Sequence, residues 1–191
     1  RHSYWKWLNE KGVQTAEFFP AILRRLQLRI NYRNHRKIVV IDNKVAYVGG
    51  FNVGKEYIDL DERFGHWRDT HLRITGEAVM SLQIRFALDW NYATGENLFK
   101  NEAYFRTDLK KKTDGRRDKE RPAWPDPELE GSQVGMQIIA SGPDTREPHI
   151  RNNYLELFHK AKHHIYIQTP YFVPDDALFS ALKMAALSGG D

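Results

Sequence analysis

At 191 residues, with 41% hydrophobic side chains, the chain suffices for one large domain or two small ones and is too apolar to be a disordered protein. It has no cysteine, which excludes disulfides and thiolate metal centres, and no apolar run approaches the roughly 18 residues that a membrane span needs. The formal net charge is +4 and the pI 9.2, a balance that would suit a nucleic-acid backbone.

In chain order, Tyr4-Trp5-Lys6-Trp7-Leu8-Asn9-Glu10-Lys11-Gly12 predicts a helix ending at a glycine cap, and Val13 to Phe19 the strand it feeds. The runs Ile38-Val39-Val40-Ile41 and Val45-Ala46-Tyr47-Val48 are short and rich in β-branched residues. They predict two strands joined by a tight turn at Asp42-Asn43-Lys44. A strand around His71-Leu72-Arg73-Ile74 follows, then a helix from about Glu77 to Tyr92 with Val79, Leu82, Phe86 and Trp90 on its core face. Residues 106–121 carry eight positive against four negative charges, prolines 122, 125 and 127 follow, and no apolar periodicity survives, so a linker or excursion is expected. That tract is either a solvated loop or a contact with anionic lipid.

Beyond it, Gly135-Met136-Gln137-Ile138-Ile139-Ala140 predicts a strand, Ile150 to Lys162 a helix with Tyr154, Leu157, Phe158 and Ala161 inward, and His164 to Gln168 another strand. Pro174-Asp175-Asp176 opens a last helix with Leu178, Leu182 and Ala185 at helical spacing, closed by Gly189-Gly190. The whole reads as α/β, in two lobes: residues 1–105, a linker 106–133, and 134–191 as the start of a second lobe. Both ends are expected to be cuts within a longer chain, since the first elements look like the middle of an α/β unit and no strand follows the last helix.

Chemistry concentrates in Asn34-His35-Arg36-Lys37, Asp42 and Gly49-Gly50-Phe51-Asn52. Alternation along an extended segment puts residues i and i+2 on one side, so His35 and Lys37 should project together. A phosphodiester repels nucleophiles by its charge. Attack without a metal needs fixed positive charge from Lys37, amide donors from Asn52 and a neutral imidazole at His35 as nucleophile. Gly49 and Gly50 permit backbone approach where a side chain would collide. Asp42, in the turn, is expected to hold the hairpin or an ion pair rather than to touch substrate. No group of side chains is expected to bind a metal.

The spacing His35-x-Lys37-(x4)-Asp42-(x6)-Gly49-Gly50-x-Asn52 matches the signature of the phospholipase D superfamily. The contexts Asn31-Tyr32-Arg33-Asn34-His35-Arg36-Lys37, Trp67-Arg68-Asp69-Thr70-His71 and Ile167-Gln168-Thr169-Pro170-Tyr171-Phe172-Val173-Pro174 resemble bacterial cardiolipin synthases, and the resemblance covers nearly the whole chain. It implies a phospholipase D-like mixed sheet flanked by helices in two lobes, the second truncated before its own motif. It also implies transfer of a phosphatidyl group between two phosphatidylglycerol molecules through a phosphohistidine, with no metal or cofactor. Asp69 would be the carboxylate that holds the imidazole in one tautomer. Phosphatidylglycerol and an anionic membrane surface would be the partners, with no nucleic acid, and the bacterial cell membrane the location, reached through anchoring segments outside these residues. A nuclease or other phosphodiesterase of the same superfamily and a non-catalytic phosphate-binding fragment are the alternatives.

Overall fold

A computed structural model of the chain describes residues 2–18, 34–63, 65–105, 134–142, 145–169 and 171–189, in two compact units, Arg1–Ile138 and Ile139–Asp191. The tract 106–133, and with it the expected linker, lies outside the described residues.

The first unit opens with helix α1 (His2–Glu10). It ends at the expected glycine: Gly12 has φ +82°, its N–H donates to the Asn9 carbonyl at 2.9 Å, and Val13 N–H donates to that of Leu8 at 3.1 Å. The strand expected from Val13 to Phe19 does not form over its described residues, 13–18, which run as irregular chain. A strand exists only through a hydrogen-bonded neighbour, which this stretch lacks among the described residues. Side chains anchor it instead, the Phe18 ring lying 5.0 Å from that of Tyr92.

The sheet has the three expected strands in consecutive order, β1 (Ile38–Ile41), β2 (Val45–Gly49) and β3 (His71–Thr75). Ile38 pairs with Val48 and Ile41 with Val45, while Ala46 pairs with Ile74 and Gly49 with His71. In the β1–β2 turn, Lys44 N–H donates to the Ile41 carbonyl at 3.0 Å, and Asp42 and Asn43 have φ +51° and +56°. Positive φ at both central residues matches the twist of a hairpin, and Asp and Asn tolerate it best among residues with a side chain. Both pairings are antiparallel, and the described strands do not include the parallel neighbour that the expected mixed sheet requires. A parallel neighbour needs a crossover connection, and these strands follow one another as a meander.

Helix α2 (Ala78–Thr94) covers one sheet face. Its Val79 and Leu82 join Ala46 and Ile74 in the core, with Ile38, Val40 and Val48 packed around them. The expected face is right at its start only. Phe86 is 41% exposed and stacks on Trp90, whereas Gln83 and Ala87 are buried, so beyond Leu82 the buried face runs through Gln83 and Ala87 and not through Phe86. The other sheet face leaves Val39 and Ile41 exposed.

In the second unit, α3 (His149–Lys160) packs on α4 (Asp176–Leu187). Asp175 caps α4 by accepting from Leu178 N–H at 2.9 Å and also pairs with Arg151 of α3, two contacts that hold its carboxyl below the usual range, the guanidinium first. Ala181 is buried and Leu178, Leu182 and Ala185 half-buried, the face expected for this helix. Tyr154 and Leu157 of α3 are exposed instead of inward, and Ala161 lies past the helix end. Neither Gly135–Ala140 nor His164–Gln168 forms a strand, for want of a neighbour to pair with among the described residues. No helix among them is long and apolar enough to cross a membrane.

Candidate active site

The segment Asn34-His35-Arg36-Lys37 leads into β1, and its side chains separate by parity. Asn34 Nδ2 donates to Asp89 Oδ2 of α2 at 3.1 Å, and Arg36 Nη1 donates to both oxygens of that carboxylate at 3.1 Å. Arg36 N–H closes onto Asn34 Oδ1 at 2.9 Å, a side-chain turn that holds the segment in shape. With both even-numbered residues drawn to the helix-covered face, His35 lies exposed, and Lys37 Nζ donates to the His35 carbonyl at 2.7 Å. β1 continues the alternation, Ile38 and Val40 towards the core and Val39 and Ile41 outward.

Gly49 and Gly50 close the end of β2 against the start of β3. A Cβ on Gly49 would lie 2.6 Å from His71 Nδ1 and 2.6 Å from the Thr70 carbonyl, and one on Gly50 would lie 2.8 and 2.9 Å from the Asp69 carboxylate oxygens. The missing side chains are therefore what admits the His71 ring and the Asp69 carboxylate. Asp69 Oδ1 accepts from Thr70 N–H at 2.7 Å, and among the described residues no hydrogen bond joins it to His35.

Asn52 Nδ2 donates to the Tyr57 hydroxyl oxygen at 2.5 Å, which fixes the amide from a single turn of tight helix, Lys55–Ile58. Asp59 closes that turn with φ +58° and accepts from Trp67 N–H and His66 Nδ1, each at 2.8 Å. The Trp67 amide foremost, and then His66, hold the Asp59 carboxyl below the usual carboxylate range. Ring contacts run from Trp67 to Tyr57 at 5.0 Å, on to Phe51 at 5.5 Å and to His71 at 5.9 Å, so the loop folds back towards Gly49.

The fold thus gathers Lys37, Gly49, Gly50, Asn52 and Asp69 around the ends of β1 to β3 beside His35, and leaves Asp42 in the turn at the other end of β1. Three residues here were missed in sequence. Asp89 is a carboxylate three positions after Phe86 on the stripe read as apolar, a signal that it needs a cation. His71 faces Gly49 across the ladder, which only the register reveals, and Tyr57 carried no sequence signal. A cavity of about 210 Å³ lies on the α2 side, lined by Asn34, Arg36 and Asp89 with Phe18, Phe86 and Trp90 among its walls. Among the described residues no three His, Asp or Glu side chains are grouped to hold a metal ion.

An exposed imidazole, an ammonium two residues on and an anchored amide, at glycine-floored strand ends, supply a nucleophile, a positive charge and hydrogen-bond donors. Comparison with known proteins narrows the class. The chain is 44% identical over 189 residues to a cardiolipin synthase of Oceanobacillus iheyensis, 99% of this chain and 35% of that one. It is 46% identical over 191 residues to the major cardiolipin synthase of Bacillus subtilis, 100% of this chain and 36% of that one. With a cardiolipin synthase of Clostridium perfringens it shares 47% over 184 residues, 96% of this chain and 36% of that one. No family model and no solved structure matches. The chain is a relative of the cardiolipin synthases along nearly all its length, and it spans about a third of the length of the relatives it matches.

Proposed function

We propose that the protein to which these residues contribute transfers a phosphatidyl group between two phosphatidylglycerol molecules, giving cardiolipin and glycerol. The observation that carries this reading is the exposed His35 beside Lys37, at a glycine-floored strand end, in a chain related to cardiolipin synthases. An imidazole nitrogen of His35 bonds to phosphorus as the bond from phosphorus to the glycerol oxygen breaks, and the departing oxygen takes a proton from an acid. The hydroxyl of a second phosphatidylglycerol then attacks the phosphohistidine, loses its proton to a base, and frees the imidazole.

In this scheme Lys37 and Asn52 hold the nonbridging oxygens, Gly49 and Gly50 let the phosphate approach the backbone, and Asp69 keeps the imidazole in one tautomer. Asp42 serves the hairpin. The fold proposed for the complete protein is phospholipase D-like, with residues 1–105 in one lobe and 134–191 opening a second. Residues 106–133 would join the two, with Lys110, Lys111 and Lys112 available to anionic headgroups.

The test is to offer the complete enzyme labelled phosphatidylglycerol and single-stranded DNA side by side, as wild type and as His35→Ala. Cardiolipin formation by the wild type alone, lost by several orders of magnitude in the variant, is the expected result. Cleavage of DNA with no lipid product would make the protein a nuclease. Binding of either without turnover would make it a phosphate-binding protein.

A further inference from the structure

We propose that Asp89 is a positioning residue for His35 and Lys37, acting from the opposite face of the sheet through Asn34 and Arg36. The proposal rests on the phosphate-site reading given above.

Residues 34–37 precede the first paired residue of β1, and among the described residues no ladder hydrogen bond fixes which way their side chains turn. An extended segment free of a ladder can rotate about its own axis, and half a turn would exchange the faces presented by odd and even residues. Asp89 supplies the missing constraint. Its two oxygens take Arg36 Nη1 at 3.1 Å, Oδ2 also takes Asn34 Nδ2 at 3.1 Å, and Arg85 of the same helix holds Oδ1. With both even residues bound to one carboxylate, rotation of the segment would break three contacts at once.

The carboxylate is well placed to act this way. The Asp89 side chain is 13% exposed and that of Arg36 23%, so water competes little for the pair, and a carboxylate shared by guanidiniums is held in direction as well as position. Arg85, spaced i,i+4 from Asp89, holds Oδ1 and so belongs to the same clamp, whereas Val79, ten positions earlier on α2 and fully buried in the core, serves the packing of the helix on the sheet. That difference separates positioning from stability. Displacing a reacting group by about 1 Å costs on the order of 100-fold in turnover even when the displacing change is remote from the chemistry.

The experiment uses the complete enzyme and labelled phosphatidylglycerol, with thermal melting to establish that each variant is folded at the assay temperature. Asp89→Asn, Asn34→Ala and Arg36→Met are compared with Val79→Ala as the same-helix control and His35→Ala as the reference for loss of the nucleophile. Asp89→Asn is expected to lower kcat about 100-fold with little change in KM. Arg36→Met added to it should cost little more, because both act on one clamp. Val79→Ala should lower the melting temperature but leave kcat near wild type. A kcat for Asp89→Asn no lower than that of Val79→Ala overturns the positioning role while leaving the site intact. Wild-type turnover by His35→Ala would overturn the site reading itself, and the proposal with it.

Discussion

Lys37 and the two glycines show how narrowly the site is drawn at the scale of single residues. Lys37 Nζ folds back to the His35 carbonyl at 2.7 Å, a compact geometry that suits an ammonium. A planar guanidinium keeps the charge but needs more room, so Lys37→Arg is expected to lose most of the transferase activity with the melting temperature nearly unchanged. Turnover close to wild type would mean that charge alone is used. The glycines differ in what a methyl group would meet. Gly49→Ala drives Cβ into the Thr70 carbonyl and the His71 ring, so β3 must move, and a loss of about 1–3 kcal/mol is expected in denaturant unfolding. Gly50→Ala meets only the Asp69 carboxylate, the movable end of a side chain. It should leave stability nearly intact and lower activity by displacing Asp69. Equal losses of stability in the two variants would refute that distinction. The proposed site residues stand at fixed spacing along the chain and so were legible in sequence, whereas Asp89 was not, because its partners lie on a different element.

Among the elements, those built from local information were the ones anticipated. The β1–β2 turn needs two residues that tolerate positive φ and has Asp42 and Asn43, while α1 and α4 end at the expected glycine and begin at the expected aspartate, respectively. The face of α2 was harder to read. Leu82, 3% exposed in the core, should cost about 2–5 kcal/mol as Leu82→Ala, whereas Phe86→Ala should cost much less because Phe86 is 41% exposed. Chemical unfolding of the two variants checks this, and equal losses would restore the full apolar stripe as the packed face. Periodicity reports which residues could share a face, and packing against neighbouring elements decides which of them are covered. The expected strands at 13–19, 135–140 and 164–168 failed for a related reason. Apolar alternation permits a strand, but only a neighbouring backbone makes one.

For the whole molecule, the proposed chemistry asks for more than one imidazole. The departing glycerol oxygen needs an acid, and the seven other histidines of these 191 residues lack a Lys two positions later. The 191-residue chain by itself is therefore expected to transfer phosphatidyl groups far more slowly than the complete enzyme. Size-exclusion chromatography with a parallel transferase assay checks this. A monomer working at the full rate would defeat the two-histidine scheme, and activity confined to a dimer would point to a second His35 supplied across a two-fold axis. From the residues alone came the α/β class, the hairpin, the kinship with cardiolipin synthases and the grouping of His35, Lys37, Gly49, Gly50 and Asn52, since spacing along a chain is enough to encode a turn, an alternation or a family motif. Tertiary structure alone decided that the sheet is antiparallel, that β3 brings His71 and Asp69 against the two glycines, and that Asp89 fastens Asn34 and Arg36 from behind. Each of these depends on strand register or on a contact between residues far apart in the chain, and no local pattern carries that information.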